Sequence, residues 1–510
     1  MTSSALMPIA NQAPAMSVRG VCRRNWRPIA LIGGLSVVSR VVYGLLGLRF
    51  DVSTFPSYLQ FIDRELLSTR LFESLWYSHA HPPGLSFFTG VGIKLFGDQA
   101  DMFYATVFHL LGLVLALSVF ALVLRMAGSR IAAYVAAALL VVSPTFVLYE
   151  NWLMYTFPAA TLVAASALAL GFYLDTRRIR YAVLFFSLLA VLALTRSVFH
   201  FFWCLGVLAL LLAVVRVDRR RLLLASVVPL LVVGLWYGKN YFYYGTFSAS
   251  SLLGLGLSNI TTLTLTREEL RPLVERGELS PLALVSRYSE TETLVHALPV
   301  EPTGIPVLDT ARKTDGYYNY DYLGLIEVNR IYTRDALTVA RVFPFNYVVG
   351  ILLANRLFFS PTDMNEYFSE ANRAATAPMR KLFNPLFYGA RQTPLYMVQP
   401  HFGFSGAPSL QVNTGFGLIF AWILFIPYAY VKARQLFVNG GPIERNTGIV
   451  IGFVLLSILY VYGVSTTLEL GENYRYKFLI EPVFLALAAS AIADAAGGLR
   501  RLLRRAILRH

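Results

Sequence analysis

Long apolar runs separated by short, arginine-rich breaks set the pattern of this chain. A helix needs about 20 apolar residues to cross the hydrocarbon core of a bilayer. Ten runs reach or approach that length, at about 28–50, 101–125, 130–149, 157–174, 181–195, 199–215, 222–244, 414–434, 447–466 and 478–496. The fifth and sixth are short. Residues 84–96, GLSFFTGVGIKLF, cannot span and read as an interfacial or re-entrant helix. Residues 342–360 read as an amphipathic helix on the membrane, because counting them as a span would invert the last three segments. The stretch 245–413 carries charges, Gly/Pro punctuation and the tyrosine-rich GYYNYDYLG (316–324), which predicts an ordered domain of mixed structure rather than a linker. The expected organisation is a transmembrane module over 1–244 with a first outer loop at 51–100, an extracytoplasmic domain over 245–413, and a second transmembrane module over 414–510. No internal repeat or low-complexity tract is visible.

Composition agrees with this pattern. With 56% hydrophobic and 14% charged residues and a mean hydropathy of +0.56, the chain is expected to be an all-α polytopic membrane protein of about ten transmembrane helices. A net charge of +15 would suggest nucleic acid in a soluble chain. Here the arginines cluster at span ends, so the charge reads as topology and no nucleic-acid partner is expected. Alternating sides from a cytoplasmic N-terminus places Arg23, Arg24 and Arg27, then Arg125 and Arg130, Arg177 to Arg180, Arg216 to Arg221, Lys432 and Arg434, and Arg500 to Arg505 on one side. A miscounted span would turn every later cluster outward. Both termini are thus expected in the cytoplasm, and the arginine-rich inner loops favour a bacterial cytoplasmic membrane. The two cysteines, Cys22 and Cys204, lie at different levels, so no disulfide framework is expected. The first apolar run is too long for a signal-peptide core and should stay in the mature chain.

The unusual chemistry falls on the outer side. Asp51 ends the first span, and Glu150 with Asn151 ends the third; carboxylates at the outer ends of different helices can converge on one cavity. Taken alone, each reads as readily as a solvated helix end. Asp63 and Glu65 compete with Asp51 from an amphipathic turn. His79 and His81 precede Pro82 and Pro83; two histidines without a third ligand make a poor metal site, so a hydrogen-bonded turn or a contact to a polar ligand is the expected role. Arg196, Lys239 with Asn240, and the GENYRYK phrase at 471–477 place cations at outer span ends, against the charge rule. Snorkelling to headgroups is one reading. A phosphate is another, with Arg475, Lys477, Glu472 and Asn473 gathered in one phrase. Arg40, midway along the first span, must face protein or a polar cavity.

In order and side, these elements resemble the GT-C superfamily of membrane glycosyltransferases, which includes protein O-mannosyltransferases and bacterial aminoarabinose transferases. The motifs are Asp51 after the first span, His-Pro-Pro at 81–83, Glu150 after the third, KNYFYYGTFSASS at 239–251, and ENYRYKFLIEP at 472–482. The resemblance implies a polyprenyl phosphate sugar as donor, a glycan, lipid or protein as acceptor, and a site facing the exterior. It implies Asp51 as general base and Glu150 as a residue orienting acceptor or donor sugar. It implies Arg475, Lys477, Arg196 and Lys239 around the leaving phosphate, with His79, His81, Asp63, Glu472 and Asn473 near substrate. Inversion at the anomeric carbon, with no metal and no cofactor, is implied as well. Relatives often show an acidic pair where this chain has Asp51 followed by Val52, so Asp63 stays open as the base. Two other functions fit the topology: an oligosaccharide ligase or polymerase using a lipid diphosphate, and a transporter or flippase.

Overall fold

The fold is taken from a computed structural model that describes residues 20, 23–285, 300–365, 367–396 and 409–507. Cys22 lies outside these residues, and Cys204 is a buried free thiol. All ten predicted runs are helical: α1 (Trp26–Leu45), α3 (Ala100–Ala127), α4 and α5 (Arg130–Val142, Pro144–Glu150), α6 (Thr156–Thr176), α7 (Ile179–Ala193), α8 (Phe201–Val214), α9 (Arg219–Tyr244), α13 (Phe416–Asn439), α14 (Pro442–Leu468) and α16 (Glu481–Ile507). Among the described residues, seven helical stretches are long and apolar enough to cross a membrane, or up to nine if each of two bent pairs is one span. The protein is an all-α polytopic membrane protein. α7 and α8, at 15 and 14 residues, fall short of a full crossing.

α6 is the hub. Of its apolar window 78% is buried, against 17% for α1 and for α13, which lie at the periphery. Ala160, Ala164, Ala167 and Gly171 make one narrow stripe along it, which lets a neighbouring helix approach closely. At one end of the bundle Arg125 of α3 forms a two-armed ion pair with Asp175 (2.7 and 2.8 Å), and Asn446 of α14 joins it. Arg177, just after α6, pairs with Asp218, just before α9, at 3.1 Å.

Two bends position the opposite end. α4 stops at Ser143 because Pro144 has no N–H to continue it, and α5 leaves at 60°. The carbonyls freed there are taken by α1: Ser39 (3.2 Å) and Arg40 (2.8 Å) donate to Val141, and Tyr43 (2.9 Å) to Val142. The intramembrane Arg40 thereby gains its protein partner. The second bend, 109°, separates α10 (Gly324–Val342) from α11 (Pro344–Phe358), so residues 342–360 form a separate 15-residue helix. The helix α2 (Gly84–Phe96) turns at Gly97, φ +52°, and folds back along α3, with Phe96 stacked on Phe103 (4.5 Å) and Phe88 against Tyr104 (5.3 Å).

The 245–413 stretch contributes α10, α11, α12 (Glu370–Phe383) and, among the described residues, a two-stranded antiparallel sheet of β1 (Ala390–Tyr396) with β2 (Ser409–Gly415). It grips the 51–100 segment at two places. Lys313 donates to the carbonyls of Pro56 (2.9 Å) and Tyr58 (3.2 Å), and Asp63 accepts from Thr314 through both oxygens (2.8 Å each). Asp321 accepts from the Ser78 hydroxyl (3.0 Å) and from the N–H groups of His79 and Ala80 (2.8 Å each).

Candidate active site

The short helix α15 (Asn473–Phe478) sits between the last two long helices and sets the site. Asn473 anchors it: its amide donates to the Ser465 (2.7 Å) and Glu469 (3.0 Å) carbonyls, which lie in and just beyond the last turn of α14. Arg475 then points inward and is 1% exposed. Its guanidinium donates to the Tyr58 hydroxyl, to the Tyr155 hydroxyl at 2.8 Å and to Glu472 at 2.6 Å. Burial works against the charge, but Glu472 and the phenols of Tyr155, Tyr58 and Tyr476 more than offset it and hold the guanidinium well above its ordinary pKa.

Arg196, in the α7–α8 turn and 7% exposed, reaches the same Tyr155 hydroxyl from the other side. Its guanidinium lies between the rings of Tyr155 (4.6 Å) and Tyr476 (4.3 Å), a cation–π arrangement. Two buried guanidiniums thus meet at one phenol oxygen, and Glu472 forms an ion pair with one of them, Arg475. The Nε atoms of both arginines are buried without a hydrogen-bond partner, and so is Nε2 of His81. Burial, with Arg196 and Lys313 adding to it against the pull of Asp321, pushes the His81 imidazole down to about 3, so it is neutral at ordinary pH.

These groups form the polar end of a cavity of about 1020 Å³. From there it runs as an apolar groove between α8 and α14. Phe202, Trp203, Gly206, Val207 and Leu210 line it from α8, and Leu456, Tyr460, Val464 and Leu468 line it from α14. Both sets recur at helical spacing, each forming one stripe. A polar head beside an apolar groove in a membrane-spanning bundle suits an amphiphile with an anionic head.

The structure brings together Arg196, Arg475, Glu472 and His81 out of the expected set. Lys477 points elsewhere. Two positions apart on a helix, it is rotated roughly 200° from Arg475, and its ammonium donates to the Ser360 carbonyl on the far side of α15. Burial lowers the Lys477 ammonium to about 8. Glu150, 1% exposed, turns into the bundle, where it pairs with Arg40 and meets His109 at 3.3 Å. Lys239 is held by the carbonyls of Trp76 (2.7 Å) and Ser78 (3.1 Å). His79 diverges from His81: a carbonyl only accepts, so its Nε2 donates to Asp321 (3.0 Å) and its Nδ1 accepts from the Ser251 hydroxyl (2.8 Å). Asp63 is the N-cap of the helix at Arg64–Thr69 as well as the partner of Thr314. Tyr58, Tyr155, Tyr476 and Glu469, which sequence reasoning missed, surround or line the polar end. A tyrosine near a span end reads as an interfacial anchor, so spacing alone gave no signal for these phenols.

Asp51 stands apart from the arginines. Its backbone bridges Trp152, and its carboxylate accepts from the N–H groups of Ser53 (2.9 Å) and Ser369 (3.3 Å). The Trp152 ring lies parallel to that of Tyr367 at 6.5 Å, and Tyr367 lines the groove. Asp51 therefore sits behind an aromatic wall of the cavity. Among the described residues it forms no ion pair within 4 Å, whereas Glu150 and Glu472 each face an arginine.

No protein-family model matches the chain, and no curated protein does. Among solved structures it is similar to the oligosaccharyltransferase of Archaeoglobus fulgidus tethered with an acceptor peptide, at 14% identity and a TM-score of 0.39 over 95% of this chain and 51% of that one. It is also similar to ArnT from Cupriavidus metallidurans bound to undecaprenyl phosphate, at 15% identity and a TM-score of 0.33 over 89% of this chain and 78% of that one. Both are GT-C glycosyltransferases, the group the sequence motifs resemble. The chain spans about half the length of the archaeal enzyme. Likenesses this distant carry no argument about the reaction, which rests on the site's own residues.

Proposed function

We propose that the protein is a membrane glycosyltransferase that takes a sugar from a polyprenyl phosphate carrier seated between α8 and α14. The observation that carries this is the pair of buried arginines, Arg196 and Arg475, with unpartnered Nε atoms at the polar end of an apolar groove. A guanidinium fork matches a phosphate's oxygens, and cations already in place stabilise the negative charge that grows on a departing phosphate. Transport would call for a substrate site at polar groups and broken helices near the bilayer midplane, whereas Arg196 and Arg475 lie in the α7–α8 turn and on the short α15, and the Arg40–Glu150 pair beside the α4–α5 break does not line this cavity.

In the proposed reaction an acceptor hydroxyl attacks the anomeric carbon as the bond from that carbon to the phosphate oxygen breaks. The bonding pair leaves on the phosphate, where Arg196 and Arg475 hold it, and the hydroxyl proton passes to the Asp51 carboxylate. Asp51 suits the base because its carboxylate has no ion pair within 4 Å among the described residues, whereas Glu472 is held by Arg475. Tyr367 must swing aside for the acceptor to reach it. Attack opposite the leaving phosphate inverts the anomeric centre.

Purified protein in lipid nanodiscs, given a radiolabelled polyprenyl phosphate sugar with native membrane lipids, is expected to release polyprenyl phosphate. Asp51→Asn should fold and bind donor but release almost none. Undiminished release from that variant would remove Asp51 from the chemistry. A lipid diphosphate sugar assayed in parallel separates this reading from an oligosaccharide ligase.

A further inference from the structure

A second groove, of about 830 Å³, lies on the far side of α15, between α4, α13 and α16. Its walls are apolar: Val135 and Leu139 from α4, Phe425 from α13, and Ala489, Ala493 and Ala496 from α16. The alanines recur on one face of α16 and leave a channel where larger side chains would close the helices together. From Glu481 to Arg500, which both line the groove, the helix rises about 28 Å at ~1.5 Å per residue, close to the thickness of a bilayer's hydrocarbon core. This groove therefore fits a lipid chain lying along the bundle.

Its polar end differs in composition from that of the first groove, where Arg196 and Arg475 stand with Glu469 and Glu472. Thr145, Tyr388 and Glu481 line the second groove's end. Glu481 accepts from the Thr362 and Tyr388 hydroxyls, each at 2.7 Å, and has no ion pair within 4 Å among the described residues. Lys477 commits its ammonium to the Ser360 carbonyl. A carboxylate with hydroxyls repels a phosphate and accepts hydrogen bonds from hydroxyl groups.

The two polar ends are separated by one aromatic partition. Phe478, at the end of α15, lines the second groove and stacks on Tyr149 at 4.0 Å. Tyr149 meets the edge of Trp152 at 6.0 Å, and Trp152 lies parallel to Tyr367 of the first groove. The backbone of Asp51 bridges that of Trp152, which fastens Asp51 to the partition.

We propose that the second groove seats the acceptor, and that the acceptor is a lipid whose head presents hydroxyls rather than a phosphate. This rests on the glycosyl-transfer reading above. Once Tyr367 has swung aside, the head hydroxyl reaches and attacks the anomeric carbon from the second-groove side, the carbon–phosphate-oxygen bond breaks with its pair going to the phosphate, and the proton goes to Asp51.

Two photoprobes test it in nanodiscs, each a dodecyl chain with a mid-chain diazirine, one ending in β-glucoside and the other in phosphate. The glucoside probe is expected to label peptides of α4, α13 and α16, and the phosphate probe those of α8 and α14. Ala493→Phe, or Ala489→Leu should the first fail to fold, is expected to cut glucoside labelling by about fivefold or more through loss of space, with phosphate labelling intact. With a native membrane lipid extract supplying both substrates, polyprenyl phosphate release from the same variant should fall about tenfold. Equal labelling of both grooves by either probe, or release undiminished in the filled-groove variant, overturns the acceptor assignment. Failure of the phosphate probe to label α8 and α14 overturns the donor reading instead, so the two failures are distinct.

Discussion

The two grooves share size, apolar walls and a common partition, yet end in different chemistry. One ends in Arg196 and Arg475, whose Nε atoms lack partners. The other ends in Glu481, satisfied by two hydroxyls. The walls are selected for hydrocarbon and say little about which molecule enters, because lipid tails offer no polar handle. The discriminating information sits in a few groups at the polar ends, where each charge has been desolvated and so acts at full strength.

The largest expected effect comes from removing the cation that defines the first groove. Arg475→Gln should lower polyprenyl phosphate release about 10³-fold, the scale for losing a preorganised charge-stabilising donor, with the phosphate probe's labelling of α8 weakened. Retained release would dissolve the contrast between the two ends. Asp51→Asn should cost about 10²- to 10³-fold in release, within the range of general-base catalysis, without weakening donor labelling. Glu150→Gln tests the opposite kind of carboxylate. It leaves Arg40 without its charge partner in the bundle, so thermal unfolding should show a loss of about 3 kcal/mol, and the surviving folded protein should keep the donor labelling pattern. Arg196→Lys retains a charge but loses the planar fork between Tyr155 and Tyr476, which predicts about a tenfold rise in the donor KM.

The smallest effect is a pH dependence at the rim of the first groove. The His81 imidazole titrates at about 3 in the folded protein against 6.5 for the free group, so between these values the unfolded chain binds more protons. Stability from His81 is therefore complete above pH ~6.5 and declines as pH falls toward 3. Midpoints of thermal unfolding measured from pH 7 to 4 should fall, and His81→Asn should flatten part of that slope.

Much of the fold was legible as sequence. The ten runs all became helices, since a segment in lipid must satisfy its own backbone and composition leaves no other choice. The stripes on α8 and α14 are likewise set by local periodicity. At the site, Arg196, Arg475, Glu472 and His81 were recognisable as charged or polar groups at span ends. Lys477 was grouped with Arg475 because they are neighbours in the chain, and the helical rotation of α15 separates them. Glu150 looked like a second site acid because nothing local showed that Arg40, 110 residues away, would claim it.

What the sequence by itself determined is therefore the set of apolar helices and the residue types available at their ends. Each follows from the cost of burying polar groups in hydrocarbon and from the fixed pitch of a helix, both of which act within a few turns of chain. Only the tertiary structure decided which of those residues meet. Tyr155 lies 320 residues from Arg475 and Tyr58 lies 414 from Glu472, so their hydrogen bonds exist only once α6, α15 and the 51–100 segment have packed. The contrast between the two grooves was decided the same way, by α15 turning Arg475 toward one and by α16 opening with Glu481 at the other.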